Sequence, residues 1–232
     1  MPEGITVAHA GRFRRMLSYR KKNYGLLSYD NRITIRGSAL VSRSMEPFGR
    51  SFLRTCIDHL LNGNIEGLHN AYVSFRRSIL EHALGVGDFA RVETLRDPPE
   101  LYRRQVAAGK RNKSAAYELA LSGTRQFRSG DRIAYYITGS DSNVKGFENC
   151  KLAEDWDPNF PDENTAFYLR RLEEFCEKFA DFFHPRDFRA VFSADELFPF
   201  DPGGILPLIA PVAPDSQERQ DERPAFGIWL DE

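Results

Sequence analysis

The sequence predicts an α+β fold: a small antiparallel β unit in residues 1–40, a mainly helical domain with a β insert in 41–198, and an acidic, Pro-rich tail in 199–232. Three observations predict it. Apolar and polar residues alternate across 24–36, the spacing of half-buried strands. From Pro47 to Gly85 the apolar residues recur every three or four positions, the spacing of amphipathic helices. Beyond Pro199 the composition shifts to Pro, Asp and Glu, which predicts a loosely ordered tail.

The elements follow in order. "YGLLSYD" and "RITIRG" flank Asp30-Asn31, a two-residue turn of the kind hairpins favour, and Gly37 ends the second strand. Pro47 suits the first turn of a helix that places Phe48, Phe52, Cys56, Ile57, Leu60 and Leu61 on one face and stops at Gly63. Asn64 caps a second helix, with Ile65, Leu68, Tyr72, Phe75, Ile79 and Ala83 inward and an end at Gly85. The short connection makes these two an antiparallel pair. Asp97-Pro98-Pro99-Glu100 reads as a capping-box start for a third helix, and "SAAYELALSG" as a shorter fourth. "DRIAYYITG" and "SNVKGFENCKL" read as strands around a turn at 139–143. Residues 164–183 form a long helix with Phe167, Leu172, Phe175, Cys176, Phe179 and Phe183 toward a core. There are no internal repeats.

A chain of 232 residues can bury roughly 70% of the surface its unfolded form exposes. With 41% hydrophobic and 28% charged residues it reads as folded rather than disordered. No membrane partner is expected, because the longest apolar run, "ILPLIAPVA", is short and broken by Pro207 and Pro211. The N-terminus lacks the basic start and apolar core of a signal peptide. Cys56, Cys150 and Cys176 are odd in number and widely spaced, which argues against disulfides and zinc. The expected location is intracellular.

A net charge of −1 hides strong segregation. Residues 11–54 carry eleven Lys/Arg against two Asp/Glu, 96–132 carry nine against four, and 146–232 carry eight against twenty. Two basic blocks and an acidic third suggest one face built for a polyanion and another kept away from it.

Little else in the sequence carries chemistry. His9, His59, His69, His82 and His184 share no ligand spacing, and His59 and His82 read as satisfied or solvent-facing. Asp155-Trp156-Asp157 mimics a metal-binding carboxylate pair but sits in a loop-like context. No Gly-rich loop opens a helix, and no Ser, Cys or His group suggests a nucleophile with its base. The remaining candidate is the stretch from Arg12, where Arg14, Arg15, Arg20, Lys21 and Lys22 interleave with Phe13, Tyr19 and Tyr24. An exposed edge strand protected by lysine is the plain reading. A nucleic-acid contact is the other, and edge protection does not explain the second basic block.

The stretch "GRFRRMLSYRKKNYGLLSYDNRITIRGSALVSRSMEPFGRSFLR" resembles family B DNA polymerases just beyond their last catalytic motif. There the chain leaves the palm, passes a Lys-Lys-x-Tyr motif and enters the thumb through Gly-Ser and Arg-x-x-Glu-Pro-Phe. The matching positions are Lys21, Lys22 and Tyr24, then Gly37-Ser38, then Arg43, Glu46, Pro47 and Phe48. "ETLRDPPELY" and "KSAAYELA" resemble the thumb-tip helices, "GDRIAYYITG" the thumb strand and "DENTAFYLRRL" its closing helix, so the likeness runs over residues 3–198.

The resemblance implies that residues 1–40 are the end of a palm and 41–198 a thumb. It implies primer-template DNA as the partner. Arg20, Lys21, Lys22, Tyr24, Arg36 and Arg43 would contact it from the first block, and Arg103, Arg104, Lys110, Arg111 and Lys113 from the second. A lysine of the Lys-Lys-x-Tyr motif would donate to minor-groove acceptors that A·T and G·C pairs share. Tyr24 would bond the primer backbone, which positions rather than specifies. The implied location is cytoplasmic and nucleoid-associated, in replication or repair.

The departures from the family bear equally on function. Its D-x-x-S-L-Y-P-S and Tyr-Gly-Asp-Thr-Asp-Ser motifs, whose carboxylates hold two metal ions, are absent, and only 20 residues precede Lys21. The fingers helix and the exonuclease carboxylates are missing as well. No catalytic residue and no cofactor are therefore expected in this chain. Mg²⁺ is expected in the active site of a larger polypeptide carrying palm, fingers and exonuclease. The Met start near a natural split point suits a small subunit. A non-catalytic duplex-binding accessory protein, a truncated polymerase and a scaffold without a DNA role stay open. The tail "FGIWLDE" leaves two readings: a sliding-clamp docking peptide, or no role.

Overall fold

The computed structural model describes residues 12–19, 22–42, 44–123, 125–194 and 200–208. It is a mixed α+β molecule with two three-stranded antiparallel sheets joined by a helical core. β1 (Phe13–Ser18), β2 (Tyr24–Ser28) and β3 (Ile33–Arg36) form a meander with β2 central and β1 at an edge. The connection of β2 to β3 is one residue longer than the predicted Asp30-Asn31 turn. Ser28 N–H bonds to Arg32 O, and Tyr29, Asp30 and Asn31 form the loop, with Asn31 left-handed at φ 61°. This geometry is common in three-residue hairpin loops, and Asn tolerates it.

A short α1 (Ser38–Val41) leads into α2 (Pro47–Asn62), whose Phe48, Phe52, Leu53, Cys56, Ile57, Leu60 and Leu61 are all buried. Gly63, at φ 71°, closes α2 as expected. Asn64 Oδ1 accepts from Gly67 N–H at 2.8 Å and opens α3 (Ile65–Leu80). That helix is shorter than its sequence pattern: it stops at Leu80, and Ala83 is exposed rather than inward. The reversal falls at His82, left-handed at φ 52°, whose Nδ1 lies 2.6 Å from Glu163 Oε1.

α4 (Val86–Phe89) and β4 (Arg91–Thr94) follow, neither foreseen, since four residues carry too little periodicity to read. α5 (Pro99–Ala107) starts as expected, but Pro98 is its N-cap position and Asp97 caps nothing. Asp97 instead takes Arg111. α6 (Ala115–Ser122) and β5 (Arg132–Ile137) match their patterns. Of "SNVKGFENCKL" only β6 (Cys150–Leu152) is strand; the residues before it form turns. β5 is central between β4 and β6.

α7 (Thr165–Cys176) is capped by Asn164, whose Oδ1 accepts from Phe167 N–H at 2.8 Å. The fully buried Asn164 amide also donates to Thr138 O at 3.1 Å and Asp141 O at 2.9 Å, so one side chain ties helix to sheet. The helix expected over 164–183 ends at Cys176 and continues as a tighter 3₁₀ segment (Glu177–Phe182), followed by α8 (Pro185–Val191). Residues 200–208, in the region expected to be loosely ordered, pack on this unit. Phe200 stacks on His69 at 3.9 Å, Ile205 is buried and Leu208 N–H bonds to Phe182 O at 2.7 Å.

The two sheets and the helices share one hydrophobic core. Gly25 is where the first sheet meets α2: a Cβ there would stand 2.9 Å from Ile57 Cγ2, so only glycine lets the strand lie this close. Arg15 adds a polar contact, donating to Leu61 O at 3.0 Å near the α2 C-terminus, where carbonyls and the helix dipole favour a cation. No described helix is long and apolar enough to cross a membrane.

Candidate nucleic-acid interface

The basic turn between β1 and β2 is built from the backbone outward. Ser18 pairs with Tyr24, and Tyr19 N–H bonds to Asn23 O at 2.7 Å, which closes a tight loop. Lys22 is exposed in that loop and left-handed at φ 66°. Asn23 turns inward, and its Oδ1 accepts from Ala39 N–H at 2.9 Å at the start of α1. Gly37, at φ 102°, sits directly against it. A Cβ there would lie 2.2 Å from Asn23 Oδ1 and 2.5 Å from Lys22 O. Lys22 and Asn23 of the Lys-Lys-x-Tyr motif and Gly37 of Gly-Ser thus form one locked corner.

Half-buried Tyr24 begins β2 opposite Arg36, which ends β3 exposed. Lys22, Tyr24 and Arg36 therefore share one end of the first sheet. Arg20, Lys21 and Arg43 lie outside the described residues.

The second basic group lies on α5 and the loop after it, beside the second sheet. Arg103 and Arg104 are exposed on the helix, and Arg103 forms a loose 3.4 Å pair with Glu100. Lys110 and Lys113 are exposed in the loop, Lys113 with its ammonium 5.5 Å from the Phe147 ring centre. Arg111 differs from these four. It pairs with Asp97 at 2.8 Å and lies over the rings of Tyr102 and Tyr117, at 5.1 and 4.4 Å. Burial disfavours its charge, but Tyr117 and Asp97 outweigh that and raise its pKa.

Tyr102 and Tyr117 stack at 4.3 Å, and each hydroxyl is engaged. Tyr102 donates to Glu118 at 2.6 Å and accepts from Ser114 N–H at 2.9 Å, while Tyr117 accepts from Asp97 N–H at 3.0 Å. Burial, then the bond to Glu118, pushes the Tyr102 hydroxyl up to about 12.

The Glu-Pro-Phe motif has an internal role. Glu46 is 1% exposed and accepts from Arg91 Nε at 2.8 Å, Arg171 Nε at 3.1 Å and Arg171 Nη2 at 3.2 Å. It ties the start of α2 to β4 and α7. Asn23, Arg91, Tyr102, Tyr117 and Arg171 were not singled out in the sequence. Asn23 is the unspecified position of its motif, and Arg91 and Arg171 become partners only through the fold.

The three cysteines are free, and burial pushes the Cys56 and Cys176 thiols up, away from reactive thiolate. Asp155 and Asp157 are exposed and flank Trp156, whose Nε1 donates to Glu163 at 2.8 Å. No group of three or more His, Cys, Asp or Glu among the described residues is placed to hold a metal ion.

No protein-family model matches the chain, and no curated protein matches it in sequence. Its structure is similar to that of the family B DNA polymerase from the hyperthermophilic archaeon Pyrobaculum calidifontis. The TM-score is 0.58 at 16% identity, over 73% of this chain and 21% of the polymerase. The fold is polymerase-like. The chain spans about a fifth of the polymerase it resembles, and within this polymerase-like fold the locked corner at Lys22 and the α5–α6 loop carry the exposed cations described above.

Proposed function

We propose that this chain is the duplex-gripping part, palm end plus thumb, of a family B type DNA-directed DNA polymerase. It would hold primer-template DNA while a larger polypeptide supplies the catalytic carboxylates, their Mg²⁺, the fingers and the exonuclease. The observation that carries this reading is the corner where Asn23 bonds Ala39 beneath Gly37. It joins the Lys-Lys-x-Tyr and Gly-Ser elements physically, where the first sheet passes into the helices.

The chemistry is positioning. Lys22 and Lys21 would reach acceptors common to all base pairs, and Tyr24 and Arg36 would bond the backbone. Arg103, Arg104, Lys110 and Lys113 would neutralise phosphates further along the duplex. Each neutralised phosphate would add about 0.9 to the salt slope of binding. The palm of the larger polypeptide would continue from the first sheet, whose strand order is β1–β2–β3.

The test is capture of the tagged chain from its host's extract, with primer extension assayed on the eluate. A stoichiometric larger polypeptide and Mg²⁺-dependent extension, lost on Lys21→Ala/Lys22→Ala, are the expected result. Duplex binding with no such polypeptide would make the chain a non-catalytic accessory protein. No duplex binding would sink the reading altogether.

A further inference from the structure

We propose that Arg111 is not a DNA ligand but the positioning residue of the basic α5–α6 loop: it fixes Gly109–Lys113 so that Lys110 and Lys113 face the duplex. The inference rests on the duplex-gripping reading for its partner. The clasp itself rests on geometry alone.

Arg111 sits between two lysines with which it shares charge but not surroundings. Lys110 and Lys113 are exposed, whereas the Arg111 side chain is 29% exposed and already holds an acidic partner. Its Nη1 bonds Asp97 Oδ2 at 2.8 Å and Gln105 Oε1 at 3.3 Å. The guanidinium carbon lies beside the stacked Tyr102–Tyr117 pair, 5.1 and 4.4 Å from the two ring centres. A planar, forked cation suits this seat, and an ammonium does not. Its charge is offset by Asp97, so it adds little to the field a phosphate would feel.

The same two tyrosines tie down the chain before α5 and the chain before α6. Tyr117 Oη holds Asp97 N–H just before α5, and Tyr102 Oη holds Ser114 N–H just before α6. Ser114 Oγ also reaches Glu93 on β4 at 3.3 Å, which fastens the loop to the second sheet. Gly109, at φ 68°, turns the chain out of α5, with nothing within 4 Å of the place a Cβ would take. Glycine takes that conformation at no steric cost. Gly109 N–H bonds to Val106 O at 3.0 Å and Lys110 N–H to Gln105 O at 2.9 Å, and Arg111 holds the stretch between these bonds and Ser114. Without Arg111, the segment 109–113 would hold its lysines in many orientations, and ordering them on DNA would cost affinity.

The experiment measures the affinity of the full chain for a short fluorescein-labelled DNA duplex across a salt series, with amide hydrogen exchange of the free protein alongside. The variants are Arg111→Met, Arg111→Lys, Asp97→Asn and Lys110→Ala/Lys113→Ala. A positioning role predicts that Arg111→Met weakens binding several-fold and that Arg111→Lys fails to rescue it. Exchange at 109–114 should rise in both. The Arg111→Met loss should vanish in the Lys110→Ala/Lys113→Ala background, because coupled residues do not add.

Asp97→Asn separates the two roles even if Arg111→Met folds poorly. It weakens binding if Arg111 positions the loop, and tightens binding if it frees Arg111 for a phosphate. The proposal is overturned by unchanged exchange in Arg111→Met. It is equally overturned by rescue with Lys, with a loss that persists without the lysines and a salt slope lower by about 0.9. If exchange rises but the wild-type chain binds no duplex, the duplex-gripping reading fails while the clasp stands.

Discussion

At residue scale the corner around Gly37 is the most exacting position in the chain. Its φ of 102° and the 2.2 Å separation between an added Cβ and Asn23 Oδ1 act together. Gly37→Ala must relieve both a backbone strain and a clash with a side chain that is itself hydrogen-bonded. We expect a loss of about 1–3 kcal/mol in urea unfolding. Duplex affinity should fall as well, because the same shift moves Lys22. Asn23→Ala should weaken duplex binding with a smaller loss of stability, and Asn23→Asp should retain the acceptor for Ala39. Both comparisons are readable by urea titration beside a binding curve. The sequence marked Gly37 and Lys22 separately, through motif positions, but not the Asn23 that joins them. Arg111 shows the opposite limit: a cation in a basic block looks like its neighbours until the fold brings Asp97 and two tyrosines to it.

At the scale of elements, the close approach of α2 to α7 depends on Gly49. A Cβ there would stand 2.2 Å from Phe175 Cε2 and 2.4 Å from Cζ, and Phe175 also meets Phe48 edge-on at 5.8 Å. Gly49→Ala gains helix propensity but forces the helices apart. Overpacking should prevail, with a net loss of about 1–3 kcal/mol. Thermal unfolding followed by near-UV circular dichroism would show it as a lowered midpoint. Elements long enough to show a period were legible: α2, α6 and β5 lie where their apolar residues placed them, and α3 and α7 start there but end early. β4, α4 and α8 were not, because four to seven residues barely complete one or two turns of any pattern. The ends were less legible than the middles. Two prolines at 98 and 99 start α5 without a side-chain cap, and a left-handed His82 halts α3 one turn early.

At the scale of the whole molecule, five of the seven buried tyrosines contribute to its response to base. Burial raises Tyr72, Tyr102, Tyr135, Tyr136 and Tyr168 above their ordinary value of 10.0, Tyr102 to about 12. The unfolded chain loses these protons first, so the tyrosine contribution is full below pH 10 and falls as pH rises through the folded values. The Cys56, Cys150 and Cys176 thiols, raised by burial from 9.0, begin the loss at lower pH. Unfolding by urea at stepped alkaline pH should show a steepening loss, shallower in Tyr102→Phe. The charge segregation was legible as composition; the single core joining both sheets was not, since Gly25 against Ile57 is a contact between residues far apart in the chain. The Glu46 clasp has a counterpart in time. The meander β1–β2–β3 and the α2–α3 pair close over short loops, whereas Arg171 meets Glu46 across 125 residues. Long loops close late, so the clasp should be unmade when the folding barrier is crossed. Glu46→Gln should then leave the refolding rate nearly unchanged and speed unfolding, and stopped-flow chevrons would resolve the two limbs. In that sense Glu46 governs how long the folded chain lasts rather than how quickly it forms.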